Sequence, residues 1–297
     1  MKNNSEKLLL IISIIFIILG VGIFLYPSIS NYLAEKNHID IIRNYDDLIV
    51  KIDEEKINEE KEKAKIYNEN LSGDPVHDPF VIGSGYALPE NYKEVLNVGD
   101  DGVMGYVEIP KISVYLPIYH GTSDEVLEKG VGHIQNTSVP IGGKSTHSVL
   151  TGHTGLPNAE LFTRLDELGI GDIFYIHVLD DVLTYKVFET KVILPDKIDE
   201  LQILNGKDYV TLVTCTPYGV NSHRLLVKAE RVEYEEYSVT KSTTDEEGTD
   251  TKKESPSKHY YLTGTQIGIV LLVLILTIVS IIGISIRRKK NLYRIKK

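Results

Sequence analysis

The chain has 297 residues, 42% of them hydrophobic and 25% charged, which is enough for one large domain or two small ones. It carries 42 acidic and 32 basic residues, a formal net charge of −10, and this argues against nucleic acid as a partner because phosphate binding needs a basic patch. A single cysteine excludes an internal disulfide, so a folded domain here must rest on its core.

Two stretches lack charge altogether. Leu8–Tyr26 reads LLLIISIIFIILGVGIFLY, and Ile267–Ile286 reads IGIVLLVLILTIVSIIGISI. At about 1.5 Å of rise per residue each reaches roughly 30 Å as a helix, the thickness of a hydrocarbon core. The first also has the length and basic start of a signal peptide, with Lys2 and Lys7 ahead of Leu8–Leu19, but no small-x-small cleavage site follows. It is read as an uncleaved anchor. The tail RRKKNLYRIKK carries seven basic residues and no acid. Both ends therefore prefer the cytoplasm, and the part between the spans lies outside the cell. That external part holds 23 basic and 41 acidic residues.

The predicted organisation starts with a cytoplasmic N-terminus over 1–7, a membrane helix over 8–26 and a helical segment over 27–72. In the last, Leu33, Ile41, Leu48 and Ile52 mark the apolar face. A loop rich in Pro, Gly and polar residues follows over 73–96. From 97 to 237 the pattern changes to short β-rich runs: VMGYVEIPKI, VYLPIYHG, HSVLTGH, DIFYIHVL, VLTYKVFETKVIL, YVTLVTC and RLLVKAERVEY. Many short strands divided by turn residues predict a barrel or sandwich, with one helical turn at NAELFTRLDEL, N-capped by Asn158. A polar tether over 238–262 leads to the second span at 263–286 and the basic tail at 287–297.

The chemistry concentrates in TLVTCTPYGVNSHR. Alternation along the strand puts Cys215 on one face with Val213 and Thr211, where the strand gives way to a turn. Arg224 faces away from Leu225, Val227 and Ala229, so the two residues can meet at the end of neighbouring antiparallel strands. A nearby cation lowers a thiol's pKa and makes it a better nucleophile, whereas the alternative reading is a small buried hydrophobe. A cysteine nucleophile needs a proton partner, normally histidine. Among nine histidines, His38, His77 and His259 fall in polar helix, loop or tether, and His223 points away from Arg224. His177 and His147 sit in strands. His120, His133 and His153 occupy turn-like settings, and the glycines of TGHTG suit a histidine held on a tight turn.

The segments GDDGVMGYVEIPKISVYLPIYHGTS, GVGHIQNTSVPIGGKSTHSVLTGHTGLPNAELF and TLVTCTPYGVNSHRLLVKAER closely resemble the class C, pilus-assembling sortases of Gram-positive bacteria. The resemblance spans roughly residues 97–234. It implies a mostly β chain: a sortase-type closed β-barrel with short helices, preceded by amphipathic helices and flanked by two transmembrane helices. It implies Cys215, His153 and Arg224 as the catalytic residues, and a lid whose Asp-Pro-aromatic motif falls on Asp78, Pro79 and Phe80. Thr214 and Thr151 are expected to shape the pocket.

The implied reaction cleaves a Leu-Pro-x-Thr-Gly-like sorting signal through a thioester and passes the acyl group to a lysine amine of another pilin. The implied partners are pilin subunits and the membrane, with no cofactor and no metal. Two competing readings are a sortase that anchors surface proteins to peptidoglycan and a membrane-tethered β-domain that only binds a wall component.

Overall fold

The computed structural model describes residues 2–71 and 91–233. The expected lid motif at 78–80, the tether and the second apolar segment lie outside the described residues. The chain divides into two units, one containing residues up to 32 and the other starting at Leu33. The first helix, α1 (Lys2–Lys51), contributes to both. Among the described residues it is the one helix long and apolar enough to cross a membrane. In the first unit Phe16, Ile18 and Ile23 expose 65–75% of their surface.

In the second unit the C-terminal half of α1 buries Ile42, Tyr45 and Ile49. These positions recur at helical spacing beside the face expected from the sequence, of which Ile41 and Ile52 are partly buried and pack against the core, Leu48 is partly buried and Leu33 is 58% exposed. Tyr45 decides the register. Its hydroxyl donates to the Met104 carbonyl at 3.2 Å and accepts from the Leu179 amide at 2.8 Å, which turns the helix by about one residue relative to a purely aliphatic stripe. The second helix, α2 (Glu54–Glu69), buries Ile57, Ala64 and Tyr67. Near its end, Asn68 pairs with both the N–H and the C=O of Val139, as a neighbouring strand would.

Eight strands close a barrel: β1 (Val103–Ile109), β2 (Val114–His120), β3 (Val131–His133), β4 (Thr146–Thr151), β5 (Ile173–Val178), β6 (Asp181–Ile193), β7 (Asp208–Thr216) and β8 (His223–Val232). Around the barrel the order is β1-β2-β3-β4-β7-β8-β6-β5. The pairs β2–β3 and β4–β7 are parallel and the rest antiparallel. A short helix, α3 (Asp124–Leu127), N-capped by Ser123, connects β2 to β3. Seven strands match the β-branched runs in the sequence. β3 does not, because three residues beside glycines carry no period to detect.

The predicted helical turn at Asn158 starts later instead, as a 3-10 turn over Leu165–Glu167. Leu161 at φ 38° is incompatible with a continuous helix from Asn158. Residues 91–96, which the sequence reading assigns to the loop, form turns built into the domain, with Tyr92, Val95 and Leu96 at 2% exposure or less.

Strand alternation separates two apolar clusters. Leu150, Val210, Leu212, Leu225, Val227 and Ala229 belong to the main core. The intervening residues Val149, Val213 and Leu226 join Ile134, Ile193 and Leu201 in a second, smaller cluster on the opposite face of the same strands. The 3-10 turn over Ile198–Leu201 covers that cluster, and Glu200 secures it through ion pairs to Lys191 and Lys228. Those two ammonium groups hold the Glu200 carboxyl well below the usual carboxylate range, at about 2.

Candidate active site

Cys215 and Arg224 are direct cross-strand partners in the β7–β8 pair. Side chains opposite each other in an antiparallel pair share a face. The face is that of the smaller cluster, with Val213 and Leu226 one pair further in. The strand-end placement expected from the sequence is therefore observed. Both residues are nevertheless buried, Cys215 at 7% and Arg224 at 5% exposure, so the thiol is less open than a strand-end position alone suggests.

The histidine face comes from β4, which runs parallel to β7 with Thr151 opposite Val213. Two residues further along these strands come His153 and Cys215. Three hydrogen bonds carry the pairing past the last ladder position. The Gly152 amide donates to the Val213 carbonyl at 3.2 Å, the Thr151 hydroxyl donates to the same carbonyl at 3.2 Å, and the Thr214 hydroxyl donates to the Gly152 carbonyl at 2.8 Å. Thr151 and Thr214 are fully buried and use their hydroxyls on backbone. They stitch the His153 segment to the Cys215 strand.

The turn after β4 is held from its other side as well. The Phe162 amide donates to the His153 carbonyl at 3.1 Å, and the Gly155 amide to the Thr163 hydroxyl at 3.0 Å. A Cβ on Gly152 would stand 2.9 Å from the Phe162 ring, so a larger residue does not fit there. This explains the glycine before His153 by space rather than by turn geometry, a signal that the sequence alone does not carry.

Electrostatics separate the histidines. His133 lies in β3 rather than in a turn and is fully buried, with Nε2 against the Ser138 carbonyl at 2.9 Å and Nδ1 against the Tyr92 hydroxyl at 2.9 Å. Desolvation lowers its pKa to about 3. His147 is bonded to the Gln202 carbonyl and the Thr211 hydroxyl, and burial lowers it to about 4. Both are structural, with every ring nitrogen engaged. His177 pairs with Glu108 at 3.1 Å and stacks on Tyr106. His120 bonds the Val95 and Gly102 carbonyls. His153 is only partly buried, and desolvation lowers its pKa while the charges of Asp124, at the start of α3, and Glu128, just after its end, oppose that shift. Asp124 and Glu128 escaped the sequence reading because their proximity to His153 arises from the β2–β3 crossover.

Among the described residues no group of three or more His, Cys, Asp or Glu side chains is arranged to hold a metal ion.

Residues 107–232 match the family model described as Sortase domain. The solved structure of Streptococcus pneumoniae Sortase C is 42% identical, covering 66% of this chain and 97% of that one, with a TM-score of 0.61. Sortase C-1 from Actinomyces oris is 48% identical, covering 60% of this chain and 99% of that one, with a TM-score of 0.57. Sortase D of Bacillus subtilis is 33% identical over 131 residues, which is 43% of this chain; the chain spans 63% of the length of that relative.

Proposed function

The chain belongs to the sortase family of cysteine transpeptidases, and from that premise we propose that it is a class C enzyme that polymerises pilin subunits. Cys215 attacks the threonine carbonyl of a Leu-Pro-x-Thr-Gly-like sorting signal. The thiol proton passes to His153, the S–C bond forms, and the Thr–Gly bond breaks as His153 gives that proton to the departing glycine amine. The resulting thioester is attacked by a lysine amine of a second pilin. His153 takes the amine proton, Cys215 leaves and is reprotonated, and an isopeptide bond joins the subunits.

Arg224 supplies positive charge where the carbonyl oxygen becomes negative in both halves of the reaction. Loss of one such donor costs about 3–4 kcal/mol in comparable sites. On the resemblance alone, Asp78, Pro79 and Phe80 are assigned to a lid over the thiol. Such a cover fits the low exposure of Cys215. Similarity to the Pilus-related Sortase C of Group B Streptococcus, at 41% identity, favours a pilin acceptor over a wall precursor.

The observation that carries the proposal is the register pairing of Cys215 with Arg224, with His153 delivered to the same strand end by β4. The test is polymerisation of a purified pilin in vitro. The Cys215→Ala variant forms no polymer; undiminished polymer from that variant overturns the assignment. Offering a pilin lysine and a wall-precursor amine together separates pilus assembly from wall anchoring.

A further inference from the structure

The turn between β7 and β8 touches each component of the site. It begins two residues after Cys215 and is closed by the Val220 and Asn221 amides, which donate to the Pro217 carbonyl at 3.0 and 2.9 Å. The Asn221 carbonyl, at a residue with φ 58°, accepts from Arg224 Nη1 at 3.1 Å, and the His223 carbonyl accepts from the same nitrogen at 3.1 Å. These bonds aim the guanidinium back along the turn. At its other edge Tyr218 reaches the His153 turn. A Cβ on Gly155 would lie 2.9 Å from Tyr218 Cε2 and 3.3 Å from Cζ, so the ring lies against bare backbone two residues after His153. Gly155 is doubly constrained, by that ring and by its φ of 76°.

The two glycines of TGHTG thus each receive an aromatic ring, Phe162 on Gly152 and Tyr218 on Gly155. They differ in burial. Phe162 is fully buried and belongs to the main core, whereas Tyr218 is 69% exposed. A ring that remains largely in water contributes little to the core, so its contact with Gly155 is a matter of placement more than of global stability. With the separate tie from Asn221 to Arg224, one five-residue turn thus contacts both the guanidinium and the His153 turn.

We propose that Tyr218 is a positioning residue that locks the His153 turn against the strand end carrying Cys215, so that residues 217–221 set the relative placement of thiol, imidazole and guanidinium. The proposal rests on the transpeptidase reading above. It requires the ring and not the hydroxyl, because the contact is made by ring carbons.

The test uses the full chain in detergent, with a sorting-signal peptide as acyl donor and a lysine-bearing pilin as acceptor. Cys215→Ala, Tyr218→Ala and Tyr218→Phe are compared. The expected results for Tyr218→Ala are a kcat about tenfold lower, as small misplacements of reacting groups produce, with KM for the donor within about twofold. Its thermal midpoint is unchanged, and its rate of Cys215 alkylation by a small thiol reagent is that of wild type. The NMR titration of the labelled His153 ring departs from wild type in Tyr218→Ala and matches it in Tyr218→Phe, which also restores kcat. If Tyr218→Ala keeps wild-type kcat while Cys215→Ala is inactive, this inference falls and the functional reading stands. If Tyr218→Phe is as impaired as Tyr218→Ala, the hydroxyl is the active element and the clamp is wrong. If Cys215→Ala remains active, the functional reading itself fails.

Discussion

The inner and outer faces of the β7–β8 pair are made by alternate residues of the same two strands, yet they do different work. Inward, Val210, Leu212, Leu225, Val227 and Ala229 are buried in the main core. Outward, Val213 and Leu226 floor a smaller cluster, and beyond them the same rows continue as Cys215 and Arg224 at one end and Lys228 at the other. The period of two in a strand is what permits this division. Stability resides on one side and polar groups on the other, and a slip of one residue in register exchanges them. The outer cluster gives the polar groups a dry and fixed base, which strengthens charge interactions there.

Substitutions on the two faces should therefore fail differently. Arg224→Ala is expected to lower kcat by about 10²–10³, with single-turnover thioester formation as the readout. A loss of less than about tenfold removes Arg224 from the reaction. On the inner face, Leu212→Ala is expected to cost about 2–5 kcal/mol of stability through the cavity it leaves. Its kcat per folded molecule should be that of wild type. Urea denaturation alongside active-site titration checks both, and an equal loss of kcat would erase the distinction between the faces.

A smaller effect comes from pH. His133 and His147 have folded pKa values lowered to about 3 and about 4. Below the ordinary value of 6.5 the unfolded chain binds protons that the folded chain refuses, so stability falls as pH drops from about 6.5 towards 4. The slope is at most about 1.4 kcal/mol per pH unit for each histidine. Denaturation at pH 7 and pH 5 measures it, and equal stability at the two values contradicts the buried, neutral assignment.

Most of the barrel was legible because β-branched runs announce their strands and turn residues separate them. β3 was not, since Val131–His133 is recruited by β2 and β4 rather than by its own composition. The same gap hid His133, which the sequence sets in a turn and the fold seals in the core. Cys215 and Arg224 could be paired by counting along a hairpin, because antiparallel register is local. His153 could not be chosen by spacing, because it arrives through the parallel β4–β7 pair, a contact between distant parts of the chain. Its choice rests on the resemblance. The centre of the buried face of α1 lies one residue from the expected stripe, whose Ile41 and Ile52 still pack against the core, for a related reason: the hydrogen bonds of Tyr45 to Met104 and Leu179 exist only once the barrel is formed.

The most direct measurement is the intact mass of the enzyme after brief mixing with a sorting-signal peptide. The account predicts an acyl adduct on Cys215 that corresponds to the peptide up to its threonine, is released by hydroxylamine, and is lost when a lysine acceptor is added. Cleavage of the peptide with no adduct on Cys215, or equal cleavage by Cys215→Ala, would contradict it.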